Sequence, residues 1–347
     1  MGEIKGTTRT KKPGNFTPVA LFILLIALFL FPPLFDSYYL NLLIVIVYGI
    51  YLAQCWNIMS GLAGQFSFGH ATFFGLGAYT SSLLFIKAGL TPWLGMLTGG
   101  AVAAAMGLFI GFLAFRYRLK GHYFALATLA FAEIFRVLAL NWRFMGGAMG
   151  ILIPLGDRPA YFQFKETIYF YYIILVMALL ITFLVYRLGR SKLGLCLVAI
   201  RENEEAAEAL GVNSFRYKLA AVSLSAFLTS LGGTFYAQFY SYIDPELTFG
   251  SNVSVNILTP AIIGGVGTVW GPVVGSLVLT PISEFTRGAL SSGISLIVYG
   301  LIIIAVIIYL PEGIVGFVQK IWRRRATLRQ QANAAEIAPG EIQKGGI

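Results

Sequence analysis

Long apolar runs separated by short polar breaks make up most of the chain, without the strict alternation of a membrane barrel strand. A bilayer-crossing helix needs about 20 predominantly apolar residues rising about 1.5 Å each. On that measure the pattern predicts spans near residues 18–35, 39–58, 66–86, 92–115, 122–140, 168–187, 216–240 and 291–310. Residues 252–283 are also apolar, but Pro260, Gly264, Gly265, Gly267, Gly271, Pro272 and Gly275 interrupt them. They form either two short helices or a re-entrant pair. The expected fold class is therefore an all-α polytopic membrane protein with about eight to ten transmembrane helices.

Composition excludes a soluble domain. The chain is 57% hydrophobic and 12% charged, against about 25% charged in soluble domains. Val19–Phe31 follows Lys5, Arg9, Lys11 and Lys12 but runs into Pro32 and Pro33 without a small-x-small site. It reads as a retained first span, not a signal peptide.

Charge then orients the spans. Of the 25 Lys and Arg, four lie in the N-terminal arm, three at 116–121, six at 187–218 and six from Lys320 onward. This asymmetry places both termini and the 187–218 loop in the cytoplasm. The expected organisation is a basic arm over 1–17, a transmembrane domain over 18–318 with a cytoplasmic loop at 188–215, and a cytoplasmic, largely disordered tail over 319–347. The net charge of +10 is mostly a topology signal. Nucleic-acid binding is not expected, because the basic residues sit at membrane exits without interleaved stacking aromatics.

Catalytic chemistry is sparse. No GxxxxGK[ST] loop occurs, so the chain has no ATP-binding motif of that kind. His70 and His122 are each alone in apolar surroundings, and Cys55 and Cys196 have no metal-ligand spacing. No catalytic residue, metal or cofactor is expected in this chain.

Three features exceed ordinary span packing. The first is the polar island at 199–213, where Glu202, Glu204, Glu205 and Glu208 favour the N-terminal half of a short helix and Gly211 its end. Ala206, Ala207 and Ala209 keep it thin. Its acidity argues for seating in another protein over lying on headgroups. The second is the glycine-rich stretch at 61–70, with Gln65, Ser67 and His70, echoed by Gly264, Gly265 and Thr268 in the second half. Small residues at helical spacing serve close packing equally well, but paired interrupted segments also point to a transport pathway. Direct identity between the halves is low, so an internal repeat is only suggested. The third is charge within spans: Glu133 with Arg136, and Glu284 with Arg287. Such pairs neutralise each other locally or line a pathway.

Four segments in order carry a family resemblance: GLAGQFSFGHATFFGLGAY at 61–79, TLAFAEIFR at 128–136, AIRENEEAAEALGVN at 199–213 and ILTPAIIGGVGTVWGPVVG at 257–275. Over roughly residues 40–318 the chain resembles the LivM-type permease subunits of branched-chain amino acid ABC importers. The resemblance implies a homologous second permease, two ATP-binding cassette subunits that supply ATP and Mg, and a periplasmic substrate-binding protein. The island is similar to the EAA loop of such permeases, with Glu205, Ala206, Ala207 and Gly211 matching its Glu, Ala, Ala and Gly. The downstream IxLP portion of that pattern is not evident. The resemblance implies import of leucine, isoleucine and valine, with docking of the binding protein on loops 141–167 and 241–253. An importer of urea or short amides is the alternative within the class. An ion-coupled secondary transporter using Glu133 or Glu284 is the alternative outside it, and an integral membrane enzyme is a weaker third.

Overall fold

A computed structural model describes residues 36–289 apart from 155, with isolated positions at 29, 32 and between 294 and 320. The spans expected near 18–35 and 291–310 lie mostly outside the described residues, as do most of the arm and tail. Helix α1 (Ser37–Trp56) continues into a π-helical turn at Asn57–Leu62. There follow α2 (His70–Ala88), α3 (Pro92–Arg116), α4 (His122–Asn141), α5 (Thr167–Arg190), α6 (Lys192–Glu202), α7 (Glu204–Ala209) and α8 (Ser214–Tyr240). The described helices close with α9 (Pro245–Phe249), α10 (Ser251–Gly264) and α11 (Gly271–Ala289).

Six helical stretches among the described residues are long and apolar enough to cross a membrane: Ser37–Leu62, Pro92–Arg116, His122–Asn141, Thr167–Arg190, Ser214–Tyr240 and Pro245–Gly264. The protein is thus a multi-pass, all-α membrane protein. Helix α2 falls below that apolarity because it carries Thr72, Ser81 and Ser82, all buried. It packs against both α3 and α8, so its polar groups face helices. Close approach at this centre depends on missing side chains: a Cβ on Gly99 of α3 would stand 3.3 Å from Gly77 Cα in α2, and one on Gly107 2.8 Å from Ala226 Cβ in α8.

Local sequence sets the helix ends. Thr91 caps α3, its Oγ1 accepting from the Leu94 N–H at 3.5 Å, with Pro92 at the first helical position. Asn213 caps α8 through Arg216 N–H at 3.0 Å. The span expected from residue 66 starts at His70 instead. Gly64 takes φ +67°, and the Ser60 and Ser67 hydroxyls bond nearby backbone groups, so 63–69 is irregular. Residues 252–283 fall within a pair of helices, α10 and α11, packed together and joined at 265–270.

The opposite end of the bundle is ordered by aromatics and a two-stranded ladder. Trp93 stacks on Phe162 at 4.3 Å and donates to the Pro159 carbonyl at 3.0 Å. Strands β1 (Ile151–Leu152) and β2 (Tyr242–Ile243) pair antiparallel, with Ile151 opposite Ile243. The loop segments 141–167 and 241–253 are joined there.

Candidate functional site

The acidic island folds as two helices, not one. Ser191 caps α6 through Gly194 N–H. Asn203 is extended (φ −157°, ψ 105°), ending α6, and its Oδ1 accepts from Ala206 N–H at 3.0 Å to start α7. Gly211, at φ +86°, closes α7: its N–H reaches the Glu208 carbonyl at 2.9 Å, and Val212 N–H reaches that of Ala207 at 3.0 Å. These two bonds form a Schellman end, which needs the left-handed conformation at Gly211.

This hairpin has one seated face and one free face. Ala207 is buried, while Glu205, Ala206, Glu208, Ala209 and Gly211 are exposed. Leu210 is 87% exposed at the tip. Sequence reading overlooked Leu210 because a leucine beside a helix end reads as the last core position.

Glu204 does the seating. Its carboxylate accepts from Lys218 Nζ at 2.5 Å and pairs with Lys120 at 3.2 Å. Lys218 is nearly enclosed, its side chain 5% exposed. Burial pushes the Glu204 carboxyl up, but the hydrogen bonds and charges of Lys218 and Lys120 outweigh it and hold it below the ordinary carboxylate value. Glu202 pairs with Arg201 at 2.7 Å. A groove of about 530 Å³ beside α7 is edged by Arg116, Arg118, Glu205 and Glu208 over Phe112 and Phe215.

The two glycine-rich stretches meet beneath this hairpin. Asn57 Nδ2 donates to the Thr268 carbonyl at 2.9 Å, and Asn57 Oδ1 accepts from Gly267 N–H at 2.8 Å. Gln54 Nε2 donates to the Val269 carbonyl at 2.7 Å. Thr268 Oγ1 accepts from Gly271 N–H at 2.9 Å, at the start of α11. Gly264 and Gly265 are buried.

The other pathway candidates have local partners. Ser67 is buried, and His70 is enclosed with its ring nitrogens on Ser67 Oγ (3.2 Å) and Ser225 Oγ (3.0 Å). Gln65 is half-buried and donates to the Ala63 carbonyl. Glu133 forms the local pair with Arg136, which also donates to Glu246 at 2.9 Å. The Arg287 side chain lies outside the described residues.

None of Gln65, Ser67, His70, Glu133, Gly264, Gly265 and Thr268 lines the cavity of about 500 Å³ between α1, α8, α10 and α11. Its walls are Val45, Leu52, Ile257 and Leu279, with Asn252 and Asn256 among the polar groups. Both asparagines are exposed on α10, within the stretch Pro245–Gly264 that is long and apolar enough to cross a membrane. Exposed polar groups within a membrane span favour water or protein over lipid. The signal was present in the sequence as Asn252 and Asn256 at helical i,i+4 spacing, without charge to draw notice.

Residues 38–307 match the family described as branched-chain amino acid transport system / permease component. The chain is 31% identical over 285 residues to the high-affinity branched-chain amino acid transport system permease protein LivM of Escherichia coli K12, covering 74% of this chain and 65% of that protein. It is 26% identical over 285 residues to the corresponding LivH protein of Salmonella typhimurium, covering 76% and 90%. It is 26% identical over 205 residues to the fructose import permease protein FrcC of Rhizobium meliloti, covering 56% and 55%. The match thus spans about two thirds of the LivM relatives' length. No solved structure matches the chain.

Proposed function

The chain belongs to the permease-component family of branched-chain amino acid transport systems, and from that premise we propose that it is a membrane subunit of an ABC importer carrying leucine, isoleucine and valine. The observation that carries the proposal is the α6–α7 hairpin. It offers a thin acidic helix with an exposed leucine tip, held from behind by Glu204 and closed by Gly211. Such a shape suits insertion into a cleft of an ATPase subunit. In this reading Glu202, Glu205, Ala206, Ala207 and Gly211 belong to the coupling element. ATP and Mg are bound and consumed by two separate ATP-binding cassette subunits.

The basic residues support an orientation with this hairpin in the cytoplasm of a bacterial inner membrane. Among the described residues, Arg116, Arg118, Lys120, Arg190, Lys192 and Lys218 gather at the hairpin end. The opposite end, with Met149 and Leu152 exposed beside the β1–β2 ladder, then receives a periplasmic binding protein. A homologous second permease completes the pathway against the Asn252–Asn256 face of α10. The bundle alternates its opening as the ATPases close and reopen, and selectivity rests largely with the binding protein. Ion coupling through Glu133 finds less support, because Arg136 holds both Glu133 and Glu246; Glu284, the other residue of that alternative, lines the cavity beside α10.

Uptake of labelled leucine in the native host, with and without this chain, tests the proposal when excess valine or urea is the competitor. Loss of a valine-sensitive component is the expected result. Unchanged leucine uptake overturns the substrate, and a urea-sensitive loss moves it to urea and short amides.

A further inference from the structure

We propose that Arg201 is the positioning residue that transmits movement of the α6–α7 hairpin to the two glycine-rich segments, through the Gly61 carbonyl and the π-helical turn at 57–62. The inference rests on the importer reading above. Its basis is the junction itself. Arg201 Nη1 donates to the Gly61 carbonyl at 2.8 Å, while Nη2 and Nε donate to Glu202 at 2.7 and 3.2 Å. The Nη1 bond joins the hairpin to the π-helical turn, and Glu202, the next residue on α6, orients the planar guanidinium for it, an arrangement that a lysine ammonium cannot copy.

Two glycines stand against the Arg201 side chain, which is otherwise 33% exposed. A Cβ on Gly64 would stand 2.7 Å from Arg201 Cγ, and Gly267 lies directly against the guanidinium. Beyond Gly61 the contacts continue without a gap. Asn57, in the same π-helical turn, bonds both Gly267 and Thr268, and Thr268 starts α11. A π turn holds an extra residue in the helix and is a place where register can shift. A pull on the hairpin reaches Gly61 first, then the 265–270 connection, and then α11, whose residues Leu279 and Thr280 line the cavity.

The test uses the importer assembled with its ATPases, second permease and binding protein in liposomes, comparing the parent with Arg201→Gln and Arg201→Lys. We expect R201Q to assemble and to hydrolyse ATP within about twofold of the parent, while leucine carried per ATP falls by about tenfold or more. R201K, keeping one donor for Gly61, falls between them. A merely structural role lowers hydrolysis and uptake together, so an unchanged ratio overturns the proposal. A parent that imports nothing with ATP sinks the importer reading instead. Amide exchange on the purified chain then judges Arg201 separately. Faster exchange at 57–66 in R201Q supports the link, and unchanged exchange there overturns it.

Discussion

Glu204 shows how a side chain on a polar island becomes part of the structure. Replacing it by glutamine leaves the nearly buried Lys218 ammonium without its carboxylate. We expect that to loosen the α7 seat by about 1–3 kcal/mol, read as faster amide exchange over 203–212. The pH dependence has a definite sign. Because the folded carboxyl titrates below its ordinary value, its stabilisation is complete above the ordinary carboxylate range and is lost as pH falls through the lower folded value. Exchange protection of α7 should therefore be flat at neutral pH and decline only in acid. Gly211 makes a contrasting case. Nothing lies within 4 Å of a Cβ placed there, so Gly211→Ala meets only backbone strain at φ +86°. A cost of about 1–2 kcal/mol to the loop end is expected without damage to insertion, seen as local exchange with unchanged membrane yield.

Among the elements, the break at Asn203 matters more than the helices on either side. Its extended backbone and side-chain cap turn one acidic segment into two helices. Asn203→Ala removes the cap at about 1 kcal/mol. We expect it to lower transport more than membrane yield, and equal losses of the two would show that the break has no part in coupling. In the bundle centre, α2, α3 and α8 approach through Gly77, Gly99 and Gly107. Gly99→Leu inserts a side chain where a methyl already stands 3.3 Å from Gly77, so the helices must separate. Loss of folded protein from the membrane fraction is the expected result, and normal yield would contradict the packing described.

The described residues expose apolar side chains at both ends of the bundle, Leu210 at the hairpin and Leu152 beside the β1–β2 ladder. At the end bearing the β1–β2 ladder, Leu152 is 76% exposed, so Leu152→Asp should fold normally. If that end receives the binding protein, the variant needs about tenfold more binding protein for half-maximal uptake, equivalent to about 1.4 kcal/mol. An unchanged requirement would place docking elsewhere. The sequence by itself determined the membrane class and most described spans, because apolar periodicity and glycine or proline punctuation act locally. It also singled out the acidic island and both glycine-rich stretches. It did not separate Glu204, which anchors, from Glu205, which faces outward, since a charge run carries no record of what lies opposite. Nor did it show that His70 is enclosed between Ser67 and Ser225, or that polar positions of α10 border a cavity. Only the tertiary structure decided that the acidic island and the two glycine-rich stretches meet, with Arg201 on Gly61 across 140 residues and Asn57 on Gly267 across 210. Contacts at such separations are set by how helices pack, and no local pattern of residues encodes that choice on its own.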